Sequence, residues 1–295
     1  MTSHRVPGAS GAPLKFTFDG KPYTGMEGDT LASALLANGV RIMGGSFKYH
    51  RPRGPWSAWV DDPNAIMTVR KGAVELPNCP ATTTYLENGM KAQAVHAYPS
   101  AAFDIKGGLD FFYRWLGAGF YYKTFMWPNW HLFEPAIRKM AGLGHVTEKV
   151  LDGYSADQIH DSCEVLIIGG GPAGLAAARA AAEAGLNACL VEDHKSLGGG
   201  ALLEQTIEGH APTEWAAAHA QAITEAGGRI FTHATAYGIY DHQLVAIIEH
   251  GSFGTAPRLR RMRADRIVLA TGALDRPITF TNTDRPGIMS VTGAC

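Results

Sequence analysis

Segment 163–192 constrains the fold of this chain more than any other part of the sequence. It contains an apolar strand ending at Ile168, a glycine turn Gly169-Gly-Gly-Pro-Ala-Gly174, an alanine-rich helix and a second apolar strand that ends in acid. A strand, a G-x-G-x-x-G turn and a helix in this order predict one complete βαβ unit.

Each part of this unit has a physical task. Gly169 permits the tight turn, Gly171 lets the backbone approach a pyrophosphate, and Gly174 allows the helix to pack closely on the strand. The helix N-terminus then presents free N–H groups to the phosphates. Glu192 follows at the spacing of roughly twenty residues at which a carboxylate meets an adenosine ribose. The unit therefore predicts a site for the ADP half of a dinucleotide, which FAD and NAD share; a glycine turn that binds nothing does not need all these features together.

Length and composition restrict the number of domains and the class of protein. The chain has 295 residues, enough for two domains, with 46% hydrophobic and 18% charged residues and a formal charge of −1. This balance gives no indication of nucleic-acid binding. The longest apolar stretch, 165–191, is interrupted by the glycine turn and by charges, so we predict no membrane span. The scattered cysteines make the cytoplasm the simplest location. The four cysteines form no C-x-x-C pair, and we predict neither a metal site nor a disulfide framework.

The N-terminal third has the pattern of a small α+β module. After a flexible arm over 1–13, residues 14–18 alternate as a strand does, and Asp19-Gly20 is a turn that closes a hairpin. The run Gly28-Asp-Thr30 offers an N-cap for a helix over 31–38. We predict a ferredoxin-like β-grasp domain over 14–97.

The remaining motifs extend the nucleotide domain, predicted over 162–295 after an aromatic connection and linker over 98–161. The aromatic residues of the connection favour interface or interdomain packing over a substrate cage. Leu197-Gly-Gly-Gly200 is either a flexible loop or a loop against a cofactor's phosphate or ribose. The Ala-Thr-Gly end of the run 265–272 places small residues where a returning strand passes the cofactor. Between these motifs the pattern predicts a helix and three strands over 213–226, 229–232, 236–240 and 243–249.

Several of these segments together resemble the α subunit of heterotetrameric sarcosine oxidase and related amino-acid and opine dehydrogenase subunits. The matching segments are 28–40, 46–54, 119–126 and the dinucleotide unit. The resemblance covers nearly the whole chain. It implies a ferredoxin-like β-grasp domain followed by an incomplete FAD/NAD(P)-binding Rossmann-type domain with a three-layer ββα arrangement, so that the fold class is α+β and then α/β.

The resemblance also implies what the first domain holds. In relatives that carry a [2Fe–2S] cluster, the loop around 44–56 would contain cysteines, and this chain has none there. We therefore expect no cluster. The cations of this loop then become anchors for a partner or an interdomain contact, or else form a solvated basic loop; they are Lys48, His50, Arg51 and Arg53.

For the Rossmann site the resemblance implies NAD, with FAD as the alternative. The expected contacts are Gly169, Gly171, Ala173, Gly174, Glu192, Asp193, His194, Gly200, Ala236, Thr271 and Gly272. The first four would hold the pyrophosphate, and Glu192 the adenosine ribose, with Asp193 and His194 beside it. The sequence offers no catalytic residue for amine oxidation.

The activity implied is the oxidative demethylation of sarcosine to glycine with O₂ and tetrahydrofolate. The partners implied are a flavin-bearing β subunit and small γ and δ subunits, and tetrahydrofolate would bind through a C-terminal domain missing here. We expect an N-terminal fragment or truncated gene product that is inactive and poorly stable alone. Two alternatives stay open: a non-catalytic NAD-binding scaffold, and an FAD-bearing subunit of an amino-acid or opine dehydrogenase.

Overall fold

The chain folds into two compact units. The structure is a computed structural model that describes residues 11–115, 117, 119, 124–141 and 156–294. The first unit comprises residues 1–150 together with 275–295, and the second comprises residues 151–274. Each unit is described by itself.

The first unit is built on a mixed sheet. Its elements are β1 (Pro13–Phe18), β2 (Lys21–Met26), α1 (Leu31–Ala37), β3 (Gly44–Gly45), β4 (Pro52–Arg53), β5 (Ile66–Lys71), β6 (Val74–Pro80), β7 (Lys91–Ala94), β8 (Pro99–Ser100), β9 (Phe103–Asp104), a 3-10 helix (Ile105–Phe112), α2 (Trp130–Ala141) and a short helix (Val291–Ala294). The main sheet has the order β2-β1-β7-β5-β6, with β1 antiparallel to β2 and parallel to β7. A hairpin, a helix and a last strand inserted beside the first make the predicted β-grasp arrangement.

Local sequence explains the first elements of this unit. Phe16 and Phe18 alternate into the core, and the turn between β1 and β2 has positive φ at Asp19 (47°) and Gly20 (79°). The predicted N-cap of α1 is confirmed: the Ser33 N–H donates to Thr30 Oγ1 (3.2 Å), and the Thr30 N–H donates to Ser33 Oγ (3.0 Å). The predicted arm over 1–13 lies mostly outside the described residues.

The aromatic connection is exposed within this unit. Phe111 is 80% exposed and Trp127 is 85% exposed. The interface or interdomain packing predicted for these side chains stays a prediction, and part of the segment lies outside the described residues. In the part of the chain that the structure describes, no helix combines the length and the apolar character needed to cross a membrane.

The second unit contains the predicted βαβ unit and its extension. Its elements are β10 (Gln158–Ile168), α3 (Pro172–Glu183), β11 (Ala188–Val191), a 3-10 helix (Gly199–Leu203), α4 (Pro212–Glu225), β12 (Arg229–Phe231), β13 (Ala234–Tyr240), a 3-10 helix (Asp241–Gln243), β14 (Leu244–Glu249) and β15 (Arg258–Leu269). The strand order is β12-β11-β10-β15-β14-β13. Strands β12, β11, β10 and β15 pair in parallel, and β15, β14 and β13 pair antiparallel. The predicted helix and strands of this region are confirmed.

Two apolar cores lie on opposite faces of the parallel strands. On one face Leu175, Ala178 and Ile223 from α3 and α4 pack against Ile167 and Leu190. A second cluster joins residues of the antiparallel strands to β10 and β11; it includes Val245, Ile247, Met262, Leu166 and Val191. Helices thus cover one face of the parallel strands, and residues of the antiparallel strands pack on the other face. Because both of its faces are covered, β11 is a continuous apolar run.

Two observed limits differ from the predicted ones. Strand β10 begins at Gln158, inside the predicted linker, because it pairs with β15 from Leu259 onward. Residues 275–294 group with the first unit although the nucleotide domain was predicted to reach 295. The Arg53 guanidinium contributes to that grouping, since its Nη1 donates to Asp284 Oδ2 (2.6 Å) and to the Asp284 carbonyl oxygen. The domain boundaries as predicted from the sequence stay a prediction.

Candidate functional site: a glycine cradle beside a buried glutamate

The glycine turn contains two positions at which no side chain fits. Gly169 has φ +108°, and a Cβ there would lie 2.2 Å from the Ala270 carbonyl oxygen. A Cβ on Gly174 would lie 1.8 Å from the Gly169 carbonyl oxygen. Real Cβ atoms essentially never approach closer than 3.0 Å. These two glycines therefore let β10, α3 and the segment after β15 come together.

Gly171 is different because its Cβ position is open. It is the N-cap of α3, with φ −74° and ψ −175°, and among the described residues no heavy atom lies within 4 Å of a Cβ placed there. No side chain caps this helix, so its first N–H groups keep their capacity to bind an anion. Ala173 lies exposed in the same first turn. The space in front of Gly171 is a cradle that a methyl group would fill.

Glu192 lies beside this turn with a buried carboxylate. The side chain is 7% exposed, and its Oε2 accepts a hydrogen bond from the Gly170 N–H at 2.5 Å. The strand β11 ends one residue earlier, which brings Glu192 to the carboxyl edge of the parallel strands. Ligands of open α/β sheets bind at this edge. The predicted spacing between the turn and the acid thus corresponds to a direct contact.

His194 closes the other side of the carboxylate. Its backbone N–H donates to Glu192 Oε1 at 2.9 Å, and its ring Nδ1 lies 2.8 Å from the same oxygen and 2.9 Å from Asp193 Oδ1. Burial alone would lower the pKa of His194, but the hydrogen bonds and charges of Asp193 and Glu192 outweigh it and raise the pKa to about 9. His194 is consequently a cation at neutral pH.

The second glycine cluster lies directly against the first. The Gly198 N–H donates to the Gly170 carbonyl oxygen at 2.9 Å, and a Cβ on Gly199 would lie 3.0 Å from Gly171 Cα. Both residues have positive φ, 117° and 50°. Gly200, the residue predicted from this cluster, is exposed, with no described heavy atom within 4 Å of its Cβ position. The cluster is therefore a wall of the cradle.

The segment after β15 forms another wall. The Ala270 N–H donates to the Ile168 carbonyl oxygen at 2.8 Å, and Thr271 Cα lies 3.2 Å from the Cβ position of Gly169. Gly272 follows with φ +71°. Ala236 is placed differently, because its side chain packs against the apolar cluster on the antiparallel side of the sheet.

The geometry therefore brings most of the predicted residues to one place and adds others. Sequence reasoning did not select Gly170, Gly198, Gly199 and Ala270, which complete the turn and its walls. Their signal was present, since each adjoins a predicted residue within a glycine cluster or the Ala-Thr-Gly run. The assignment of the eleven predicted residues to ligand contacts stays a prediction.

The basic loop of the first unit binds acids of the same unit. His50 Nδ1 lies 2.7 Å from Asp104 Oδ2, and Arg51 Nε donates to Asp110 Oδ1 at 2.7 Å. Lys48 Nζ donates to the Gly117 carbonyl oxygen at 2.6 Å. With the Arg53 contact described above, each predicted anchor has a partner within its own unit. These contacts stabilise the conformation of the basic loop within the first unit.

The fold defines a Rossmann-type domain joined to a ferredoxin-type domain. Comparison with protein families agrees: residues 11–97 match the family "2Fe-2S iron-sulfur cluster binding domain", and residues 163–292 match "Pyridine nucleotide-disulphide oxidoreductase". Both domain types of the sequence prediction are therefore confirmed at this level.

Known relatives specify the resemblance further, and the chain is a homologue of sarcosine oxidase alpha subunits. It is 44% identical to "Sarcosine oxidase subunit alpha" of Rhizobium meliloti (strain 1021) over 98% of this chain and 31% of the relative. The identity to the alpha subunit of Corynebacterium sp. (strain U-96) is 32%, over 94% of this chain and 25% of that relative. The chain thus spans between a quarter and a third of the length of these relatives.

A solved structure shows the same fold over nearly the whole chain. L-Proline dehydrogenase from P. horikoshii matches with a TM-score of 0.64 at 22% identity, covering 97% of this chain and 46% of that one. At this identity the likeness shows the fold alone.

The cofactor prediction was NAD, with FAD as the alternative, and no cluster, and it is contradicted by these comparisons. The first domain matches a family described as binding a [2Fe–2S] cluster, against the expected absence of one. The donor set of this chain does not fit a cluster of the usual kind: four cysteines hold such clusters, or two cysteines and two histidines, and residues 11–97 contain one cysteine, Cys79. We therefore assign no step to a cluster. The glycine cradle, in contrast, fits the ADP half of FAD.

Proposed function

We propose that the second unit binds FAD through its ADP half and that the chain serves as a subunit of a sarcosine-oxidase-type oxidoreductase. One observation carries the proposal: Gly171 leaves an empty cradle at the N-terminus of α3, beside the buried carboxylate of Glu192. A turn needed only for packing would require Gly169 and Gly174 but would tolerate a side chain at Gly171. The homologous alpha subunits and the oxidoreductase family of residues 163–292 support the same conclusion.

In this proposal the chain's residues bind and orient the ligand. The pyrophosphate lies against the glycine turn and the N-terminus of α3, at Gly169, Gly171, Ala173 and Gly174, where the N–H groups of the first helical turn and the helix dipole favour negative charge. The ribose meets Glu192. The segment from Thr271 to Gly272 and the second glycine cluster enclose the ligand, and FAD supplies the redox chemistry when bound.

For the whole protein we propose oxidative demethylation of sarcosine to glycine with O₂ and tetrahydrofolate. The relatives' printed name, subunit alpha, supports an assembly with further subunits, for which we propose a flavin-bearing β subunit and small γ and δ subunits. The exposed aromatic side chains around Phe111 and Trp127 offer apolar surface for such partners. We propose the cytoplasm as its location.

The test is the absorbance spectrum of the purified chain, followed by titration with FAD and with ADP. We expect a flavin spectrum or, after flavin loss, saturable binding of FAD and of ADP to one site. Gly171→Ala is the matched variant and should bind both ligands at least about tenfold more weakly. A folded protein that binds neither FAD nor ADP would contradict the proposal, and retention of NAD in place of flavin would overturn the choice of ligand.

A further inference from the structure

The Glu192 carboxylate has little freedom left for a ligand. An ionised carboxylate offers about four acceptor positions on its two oxygens. Oε2 accepts from the Gly170 N–H, while Oε1 faces both the backbone N–H and the ring Nδ1 of His194. A ribose hydroxyl that donates to Glu192 can therefore reach Oε2 with least interference. The orientation of the carboxylate is determined from both sides, by the glycine turn and by His194.

The charges at this end of the cradle also depend on His194. Glu192 and Asp193 are adjacent acids, and a pyrophosphate would add further negative charge. The His194 ring lies between the two carboxylates, within 2.9 Å of an oxygen of each. The β12–β13 connection packs against it, since the His233 N–H donates to the His194 carbonyl oxygen at 2.8 Å. His250 lies beyond, its ring centroid 5.1 Å from that of His233, and burial lowers its pKa although the Asp193 charge opposes this.

We propose that His194 is a positioning residue for the adenosine ribose: it holds Glu192 Oε1, so that Oε2 is presented to the ligand, and it offsets the charge of the acid pair. This inference rests on the proposed function, because it assigns a role within the same dinucleotide site. It concerns a contact between two side chains of this chain, so it can also be tested without a redox assay.

The first experiment measures ADP affinity by calorimetry for three variants of the 295-residue chain. His194→Ala removes the ring donor, and we expect about a tenfold loss of affinity, the size of one hydrogen bond to a charged group. His194→Asn places an amide donor near the position of Nδ1 and should recover part of that loss at neutral pH, because it restores the hydrogen bond but not the positive charge. His242→Asn is the control: this histidine lies in the 3-10 helix between β13 and β14, with φ 58°, a conformation that asparagine tolerates.

The second measurement separates positioning from a general effect on structure. In the wild type, ADP affinity should fall as the pH rises through about 9, where His194 loses its proton. His194→Asn cannot ionise and should lack this step. NMR titration of the histidine rings should also show the pKa of His194 fall toward its ordinary value in Glu192→Gln.

The outcomes are distinguishable. Wild-type protein that binds no ADP overturns the proposed function and this inference with it. Binding by the wild type with unchanged affinity in His194→Ala overturns the inference alone. Equal losses in the alanine and asparagine variants, with the same pH profile as wild type, would assign His194 a merely structural role and also reject it.

Discussion

The glycine turn supports a matched pair of substitutions with opposite expected effects. Gly171→Ala and Gly174→Ala each add one methyl group, three residues apart in the same turn. At Gly174 the new Cβ lies 1.8 Å from the backbone oxygen of Gly169, and that distance would have to reach at least 3.0 Å. The contact is with backbone, so β10 and α3 must separate. At Gly171 the Cβ meets no described atom within 4 Å.

The two geometries predict different changes in folding stability. Alanine in a helix is favoured over glycine by about 1 kcal/mol, but forcing an extra group into a close-packed contact costs up to about 3 kcal/mol. Gly174→Ala should therefore destabilise by about 2 kcal/mol, a decrease of roughly 5–10 °C in Tm for a unit of this size. For Gly171→Ala, loss of a glycine N-cap and reduced freedom of the unfolded chain nearly cancel, and we expect a change within about 0.5 kcal/mol.

Binding should show the reverse order for the folded variants. A methyl group in the cradle of Gly171 displaces the pyrophosphate from the N–H groups of α3, and loss of one charge-assisted hydrogen bond already costs about tenfold in affinity. Circular dichroism melting gives the stabilities, and calorimetric titration with ADP gives the affinities. Unchanged ADP binding by Gly171→Ala would refute the cradle assignment. Unchanged stability of Gly174→Ala would refute the close approach of helix and strand.

Two further predictions concern ion pairs that stabilise the two units. Asp161 Oδ2 accepts from Arg229 (2.7 Å) and Arg260 (2.5 Å), and Asp161→Asn should cost about 1–2 kcal/mol, because Arg229 loses its carboxylate partner and the buried Arg260 keeps only Glu249. Burial would raise the pKa of Asp161, but the hydrogen bonds of the carboxylate outweigh burial and lower the pKa. The stabilisation by Asp161 is therefore present above the ordinary aspartate pKa and is lost as the pH falls through the lowered pKa. Urea unfolding at several pH values between neutral and acidic measures this loss. Arg53→Met should release residues around Asp284 and increase their amide hydrogen exchange.

The controls use a more exposed ion pair of the first unit. The side chains of Arg70 and Glu75 form a contact while 56% and 43% exposed, so Arg70→Met should change stability by less than about 1 kcal/mol. Acid sensitivity of Asp161→Asn equal to that of the wild type would show that this carboxylate is not the titrating group. Equal amide hydrogen exchange around Asp284 in Arg53→Met and Arg70→Met would show that the contact between Arg53 and Asp284 does not hold this segment in place.

Local pattern made much of the fold predictable. The hairpin at Asp19-Gly20, the cap at Thr30 and the βαβ unit each depend on residues close together in sequence, where turn chemistry and hydrophobic period act directly. The start of β10 was not predictable in this way. Its first residues, from Gln158, are mostly polar and become strand only by pairing with Leu259 and its neighbours, about a hundred residues later.

The sequence by itself determined that a G-x-G-x-x-G turn lies between a strand and a helix and that an acid follows at ribose distance, because spacing along the chain is sufficient for both. Only the tertiary structure decided what each residue does there. Gly169 and Gly174 are required by backbone packing, Gly171 leaves open space, and His194 holds the acid from the far side. These distinctions depend on Ala270, Gly199 and Glu192, which approach the turn from distant parts of the chain, and such contacts exist only once the sheet has formed.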